Sequence, residues 1–320
     1  MKIKITVCFM ALILICIAFC GCNGTTGGES STPQSSASPS SESEVSNSQS
    51  DSSVSEKELT LKEIYEQGKR DIPNKVYKTC YRLNYNGVYV RELEFDSGKS
   101  GSAVTVAMVT DSHILPRYAD RVAALKTSVG FGSMFNQLVL CGDIVDSGAD
   151  SSAISLYKQM VWDTVKNVFC LLGNHEYTGG TDTSSTRQKA TANWPHNSYY
   201  VSKTIGGKVT VIGMDNGNSE FNAEQLASLT ADLKKARKSG LKVLVFCHIP
   251  LQQLDTAVGE NDAAIGLIKS YSDVCLGIFS GHTHSDSYFE LNGNTPIPTY
   301  TLEGNSEHNC RKNVLLIKVK

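Results

Sequence analysis

Residues 103–113 read AVTVAMVTDSH, an apolar run rich in valine that ends in an aspartate and a histidine. Such a run is typical of a strand that is buried on both faces. Five segments that could bind a metal follow runs of this kind: Asp111-Ser112-His113, Gly142-Asp143-Ile144-Val145-Asp146, Gly173-Asn174-His175-Glu176, His248 and Gly281-His282-Thr283-His284. Ligands of open α/β sheets gather beyond the carboxyl ends of the strands, so we expect the five segments to meet.

The pattern between these segments predicts a layered α/β domain. Short runs rich in Val and Ile predict six buried strands, at residues 103–110, 138–141, 168–172, 209–214, 243–247 and 274–280. The clearest helix is Ala223–Lys238, where Leu226, Leu229 and Leu233 share a face and Gly240 can end the helix. Strands that alternate with helices are typical of α/β architectures.

The side chains of the five segments have the chemistry of a metal centre. They offer Asp and Asn oxygens and His nitrogens but no thiolate, a set that suits Mn, Fe, Zn or Mg. They also exceed what one ion needs, so two divalent ions that share a carboxylate are the simplest interpretation. Two such ions, about 3.5–4 Å apart, can clamp the attacking and leaving oxygens of a phosphoryl transfer.

The motif series resembles the calcineurin-like metallophosphoesterases over roughly residues 103–285. The resemblance implies a two-sheet β-sandwich flanked by helices, in four α/β/β/α layers, with a dinuclear centre. It assigns Asp111, His113 and His284 to the first metal, Asn174, His248 and His282 to the second, and Asp143 to both. It also makes His175 the residue that stabilises the phosphoryl oxygens or protonates the leaving group, with Asp146 orienting and charging His175.

Each motif alone also has a purely structural interpretation. Asp111 could cap a helix, Asp143 and Asp146 could be turn residues, and His248 could be a core histidine. Residues 282–286 also resemble the start of a metallo-β-lactamase signature, but Ser287 stands where that signature has a histidine. We therefore expect Asp286 to be a surface turn residue.

The first 57 residues predict export rather than folding. Two lysines and an apolar run end at Phe19-Cys20-Gly21-Cys22, so residues 1–22 resemble a signal peptide with a lipobox and Cys22 as the lipidated residue. An uncleaved anchor or simple secretion are the alternatives. Residues 23–57 are rich in Ser and predict a disordered linker, which leaves 58–320 as the metallophosphoesterase domain. We expect a lipid-anchored protein outside the cytoplasm.

The net charge limits the classes of substrate that the chain could bind, and the positions of the cysteines indicate the state of their thiols. The formal net charge is −2 and no stretch is strongly basic, which argues against a polynucleotide substrate. We expect a small phosphorylated substrate and predict no protein partner. The strand cysteines are expected to be buried thiols. Whether Cys80 and Cys310 form a disulfide stays open at this point.

Other segments bear on the substrate and on the sheet edges. Residues 177–200 form a long polar stretch, in which Tyr177, Trp194 and His196 could contact the leaving group or simply pack. Residues 251–262 are a second candidate rim, 88–95 an edge strand, and 296–302 and 314–319 closing strands.

The sequence also favours one group of substrates. Ser147 replaces the arginine that protein Ser/Thr phosphatases of the family carry after the second aspartate of Gly-Asp-x-x-Asp, which favours a small phosphodiester or phosphomonoester. The alternative function is a non-catalytic surface lipoprotein that binds a phospho-ligand on the same fold.

Overall fold

The computed structural model of the chain describes residues 70–83, 86–177, 199–305 and 310–320. The predicted signal segment, the predicted linker, Trp194 and His196 lie outside the described residues. Within the described ranges, no helix is both long enough and apolar enough to cross a membrane.

The described residues form two mixed sheets. The thirteen strands found in these ranges are β1 Arg70–Asp71, β2 Thr79–Arg82, β3 Tyr89–Phe95, β4 Val104–Val109, β5 Gln137–Cys141, β6 Val168–Leu171, β7 Tyr200–Ile205, β8 Val209–Met214, β9 Lys242–Cys247, β10 Cys275–Ser280, β11 Ser287–Leu291, β12 Ile297–Thr301 and β13 Asn313–Val319. One sheet has the order β1-β2-β3-β13-β4-β5-β6, and the other β11-β12-β10-β9-β8-β7. The pairs β4–β5–β6 and β8–β9–β10 are parallel.

Helices cover the outer faces of both sheets. The α-helices of the described residues are α1 Ala119–Gly132, α2 Ser151–Tyr157, α3 Ala223–Lys238 and α4 Gly259–Ser270. Side chains of β4, β5, β9 and β13 meet in one apolar core between the sheets. A second core lies between β8–β10 and the helices α3 and α4, and α1 contacts β4, β5 and β13. These layers confirm the predicted α/β/β/α sandwich.

The six predicted buried strands are all present, with ends shifted by a residue or two. The prediction for residues 88–95 is wrong in one respect. β3 is an interior strand, because it pairs with β2 on one side and β13 on the other. β13 in turn lies between β3 and β4, so the chain's last strand sits inside the first sheet.

Helix α3 begins and ends where its sequence predicts. Asn222 and Gln225 form a reciprocal capping box at the start. At the end Gly240 adopts φ 61°, and the backbone N–H of Leu241 donates to the carbonyl of Ala236 at 2.8 Å, which closes a Schellman motif. Leu229 and Leu233 are buried as expected, whereas Leu226 is only partly buried.

Candidate metal centre

The five polar segments lie at the carboxyl ends of β4, β5, β6, β9 and β10. Backbone hydrogen bonds continue past the strand ends and join the neighbouring loops. The N–H of Asp111 donates to Gly142, and the N–H of His113 donates to Asp143, at 3.1 and 3.0 Å. The N–H of Gly281 donates to His248 at 3.0 Å, which links the two loops of the second sheet in the same way. The sheet edges therefore bring the five segments together.

One cluster of ligand atoms, called metal site one below, contains Asp111, His113, Asp143 and His284. Its His284 Nε2 lies 3.2 Å from Asp111 Oδ1 and 3.1 Å from His113 Nε2. The same His113 nitrogen lies 3.8 Å from Asp143 Oδ2. With metal–ligand bonds of about 2.0–2.2 Å, ligand atoms around one ion lie roughly 3–4 Å apart, depending on the angle between the bonds, so this spacing fits an ion.

A second cluster, metal site two, contains Asp143, His248 and His282, with Asn174 between the histidines. Asn174 Oδ1 lies 3.1 Å from His248 Nε2 and 2.8 Å from His282 Nδ1. Asp143 Oδ2 lies 3.1 Å from the same His248 nitrogen. Asp143 therefore belongs to both clusters, as a bridging carboxylate would.

The donor set of site two fits a cation for a reason that goes beyond spacing. His248 Nδ1 lies 2.8 Å from the carbonyl of Cys141, so this nitrogen must carry the proton and donate it. In the neutral ring the other nitrogen then presents a lone pair to oxygens of Asp143 and Asn174, which are also acceptors. Three acceptors that converge in a buried place need a positive charge between them, which a metal ion would supply and which, in the metal-free chain, a second proton on His248 can supply.

The ionisation of the clustered side chains also favours a bound cation. Burial opposes ionisation of Asp111, yet hydrogen bonds to His113 and His284 hold the pKa of its carboxyl well below the usual range. Burial also disfavours the charged form of His248, but the nearby Asp143 carboxylate raises the pKa of this imidazole. Burial lowers the pKa of His282. The two buried carboxylates thus create a negative field that favours bound cations.

Backbone strain is concentrated in the same residues. Five of the seven predicted ligands have positive φ: Asp111 at 50°, His113 at 43°, Asp143 at 50°, His282 at 68° and His284 at 50°. This region is sparsely populated by residues other than glycine and each instance costs about 1–3 kcal/mol. The loops are also closely packed, since a Cβ on Gly173 would lie 2.2 Å from Asp143 Oδ1.

His175 lies beside site one, with its ring 4.4 Å from that of His113 between centroids. Its Nδ1 lies 2.8 Å from the main-chain carbonyl of Asp146. The bond is therefore made by the backbone of Asp146 and not by the carboxylate that the sequence predicted. The carboxylate lies 3.8 Å from His113 Nδ1 and 3.7 Å from Arg121 Nη1. His175 is thus held as the tautomer whose Nε2 is free of the backbone bond.

The motif pattern predicts no role for Glu176, although this residue closes the Gly-Asn-His-Glu motif. Its buried carboxylate accepts hydrogen bonds from the backbone N–H groups of Asp143, Ile144, Val145 and Gly173, at 2.6–3.0 Å. Burial and the neighbouring Asp143 raise the pKa of Glu176 to about 7, while the backbone bonds act in the opposite direction. Glu176 therefore fixes the Asp143 loop against the Asn174 loop.

Arg121 was also missed, because it lies on a helix and not in a motif. Its Nη1 donates to the carbonyl of His113 at 3.0 Å, and its guanidinium stacks on Tyr118, 4.0 Å from the ring centroid. Ser147 had indicated that no arginine accompanies Asp146. The structure shows that α1 brings Arg121 to this place from elsewhere in the chain.

Three further expectations are settled by the described residues. Tyr177 is 2 % exposed, and its hydroxyl bonds to Asp215, so it belongs to the core and does not overhang the ligands.

Asp286 is not a surface turn residue, since its carboxylate accepts hydrogen bonds from Asn74, Arg91 and Glu303. Cys80 and Cys310 are free thiols, as are the four strand cysteines 141, 170, 247 and 275.

Residues 104–286 match the calcineurin-like phosphoesterase family, which is more than half of the chain. The chain belongs to the calcineurin-like phosphoesterases. This membership confirms the predicted class of enzyme, a metallophosphoesterase. The family uses divalent metals, and the described residues offer three groups of ligand atoms for them: sites one and two, and a third group of His113, Asp146 and His175 that shares His113 with site one.

Similar proteins agree with this family. Over 92 residues the chain is 33% identical to the human cyclic GMP-AMP phosphodiesterase SMPDL3A and 30% identical to the bovine protein of the same name. Each match covers 27% of this chain and 20% of the relative, so the chain spans about a fifth of these curated relatives. The purple acid phosphatase PPD1 from yellow lupin seeds shares the fold, with a TM-score of 0.50 and 11% identity over 72% of this chain and 50% of that one.

Proposed function

We propose that the chain hydrolyses small phosphodiesters at a centre of two divalent ions held by the seven residues of sites one and two. The observation that carries this proposal is the shared position of Asp143. Its Oδ2 lies within reach of ligand nitrogens from both clusters, His113 on one side and His248 on the other. A pair of ions bound there would neutralise charge on the phosphoryl oxygens and activate a water as nucleophile.

The protein's own residues would orient the substrate and move the proton. His175 Nδ1 donates to the Asp146 carbonyl, so Nε2 is the remaining ring nitrogen, which can donate to a phosphoryl or leaving-group oxygen when the ring carries a second proton. An imidazolium at this place has both of its N–H groups used, one by the backbone and one by the substrate. Arg121 adds a positive charge beside Asp146. Both groups favour an anionic substrate on the His113 side of the centre.

The substrate class is proposed from two observations. The Gly-Asp-x-x-Asp motif continues with Ser147 instead of the arginine of the Ser/Thr phosphatases, and the guanidinium beside Asp146 comes from Arg121 on α1, so the motif departs from that branch of the family. The relatives that match over 92 residues are named cyclic GMP-AMP phosphodiesterases. We therefore place small phosphodiesters, including cyclic dinucleotides, before phosphomonoesters.

The test compares two chromogenic esters on the purified, Mn²⁺-loaded chain. A bis-aryl phosphodiester should be turned over faster than the aryl phosphomonoester, and a cyclic dinucleotide should yield a linear product. Faster turnover of the monoester would contradict the proposed substrate class. Turnover of none of them by a chain that holds two ions would favour the alternative, a phospho-ligand-binding protein without catalysis.

We also propose that the enzyme acts outside the cytoplasm, anchored through lipid on Cys22. Gly21-Cys22 after an apolar run supports this, although the segment lies outside the described residues. In a bacterial expression host, Cys22→Ser should move the protein from the membrane fraction to the soluble fraction, whereas Cys20→Ser should leave it in the membrane. An unchanged distribution for Cys22→Ser would contradict the lipid anchor.

A further inference from the structure

A buried arginine far from the motifs in sequence is bonded to the segments behind site one. Arg91 lies on β3, and its side chain is 7% exposed. Its three nitrogens reach three different acceptors: Nε donates to Asp286 at 3.1 Å, Nη1 to Asn313 at 2.5 Å, and Nη2 to Glu303 at 2.7 Å. A guanidinium is suited to this task, because its donors are fixed in one plane.

The first acceptor belongs to the loop that carries the histidine pair. Asp286 is two residues beyond His284, and one of its oxygens is shared by Arg91 and Asn74, the latter at 2.7 Å. Its other oxygen accepts the backbone N–H of Glu303 at 2.8 Å. The end of the His284 loop is therefore fixed to β3 and to the segment that follows β12.

The second acceptor belongs to the segment that backs Asp111. Glu303 directly precedes Gly304, where a Cβ would lie 2.3 Å from the Cβ of Asp111 and 2.9 Å from its carbonyl oxygen. The next residue, Asn305, donates its N–H to the carbonyl of Thr110 at 3.2 Å. The segment 303–305 thus presses on the backbone of Asp111 from behind.

The third acceptor, Asn313, connects Arg91 to the segment 303–305. The side-chain oxygen of Asn313 accepts from Arg91, its Nδ2 donates to the carbonyl of Gly304 at 2.7 Å, and its backbone N–H donates to Asn305 at 2.6 Å. Through Asp286 and through the segment 303–305, this network reaches two ligands, His284 and Asp111. Both have positive φ, a conformation that persists only where the surroundings impose it.

We infer that Arg91 is a positioning residue for metal site one, holding Asp111 and His284 at the spacing that an ion needs. The inference rests on the proposed dinuclear centre and adds that Arg91 supports its two sites unequally. Two ligands of site two, Asn174 and His248, lie on loops of other strands, whereas His282 shares the His284 loop and donates its N–H to Asp111. Loss of the arginine should therefore weaken site one more than site two.

The experiment measures Mn²⁺ alone, with no substrate present. Equilibrium dialysis over a range of Mn²⁺ concentrations gives the number of ions per chain, and anomalous diffraction from crystals at matched concentrations gives the occupancy of each site. In Arg91→Gln the affinity of site one should fall by roughly 10–100-fold, as for other residues that orient metal ligands, while the affinity of site two falls by a smaller factor. Arg91→Lys should weaken site one less than Arg91→Gln but should not reach the wild-type affinity. An ammonium cannot make the three bonds that the planar guanidinium donates.

A matched control lies on the same two strands. Lys318 of β13 pairs with Glu92, the neighbour of Arg91 on β3, and its side chain is 27% exposed. Lys318→Gln removes a part-buried cation from this sheet without touching the loops of site one, so both Mn²⁺ affinities should stay at the wild-type values. Glu303→Gln is a milder change on the Asp111 side, and it should weaken site one by a smaller factor than Arg91→Gln.

Equal affinities at site one in Arg91→Gln and the wild type would overturn the inference, and so would equal weakening of both sites. If Arg91→Gln does not fold, Glu303→Gln decides by the same two criteria. A chain that binds two ions with the expected site dependence but cleaves no phosphodiester would contradict the proposed function and leave the role of Arg91 intact.

Discussion

At the scale of single residues, Asp143 is where the two clusters depend on each other. Its removal takes a ligand from both ions and leaves three residues around each. We expect Asp143→Ala to lose both metals and activity together. His284→Ala and His248→Ala should each weaken one site only, and Asp163→Ala on the surface should weaken none. Metal content by mass spectrometry is the measurement, and full turnover with retained metal in Asp143→Ala would refute the bridging role.

His175 is expected to act on the rate and not on the metals. His175→Ala should keep both ions and lower kcat by roughly 10²–10⁴-fold, as for loss of a general acid. Because the backbone carbonyl of Asp146 holds the ring, Asp146→Asn should preserve this bond and cost less than His175→Ala. Metal content and kcat, measured on the same samples, separate the outcomes. Loss of metal in His175→Ala would mean that it is a ligand.

At the scale of elements, Glu176 connects the ends of β5 and β6 through four backbone hydrogen bonds. In Glu176→Gln an amide NH₂ replaces one of the two carboxylate oxygens. The two backbone N–H groups that donate to that oxygen then lose their acceptor. Each buried donor left without a partner costs roughly 1–3 kcal/mol, so the free energy of unfolding should fall by at least about 2 kcal/mol. Denaturant unfolding of the metal-free protein measures this fall.

The control for Glu176 is Glu290→Gln, a surface change of the same chemistry, which should stay within about 0.5 kcal/mol of the wild type. A Glu176→Gln protein as stable as this control would show that the four bonds do not hold the loops together.

Helix α3 offers a second prediction at this scale. Gly240 has φ 61° at the end of the helix, a conformation in which a side chain is strained. Gly240→Ala should lower the free energy of unfolding by about 1 kcal/mol, again measured by denaturant unfolding. Gly259 has negative φ and open space around its Cβ position, so Gly259→Ala should not show this loss. Equal effects of the two changes would contradict the capping role.

The sequence predicted elements better than contacts. Strands, the α3 caps and the meeting of five segments follow from local patterns, because valine-rich runs, cap residues and strand ends act over a few positions. The contacts that hold the metal ligands in place could not be predicted from these local patterns. Arg91 is near residue 313 through the pairing of β3 with β13, and near residues 286 and 303 because they flank β11 and β12 of the other sheet. Arg121 reaches His113 from a helix. The bond from His175 to a carbonyl instead of a carboxylate depends on loop geometry that no motif records.

At the scale of the whole molecule, metal binding and folding should be coupled. The ligands come from strands of both sheets, so ions that bind only the folded chain stabilise it by mass action. At 100 times the Kd a single site adds about 2.7 kcal/mol, a rise in Tm of several degrees for a domain of this size. Melting with Mn²⁺ and with a chelator should show the shift in the wild type and lose it in Asp143→Ala. An equal shift in both would mean that the ions bind elsewhere.

Anomalous diffraction from a crystal of the Mn²⁺-loaded chain tests the dinuclear centre directly. We expect two peaks about 3.5–4 Å apart. Asp143 should lie between them, with Asp111, His113 and His284 around one peak and Asn174, His248 and His282 around the other. A single peak, or two peaks that do not share Asp143, would contradict the dinuclear centre on which the proposed hydrolysis depends.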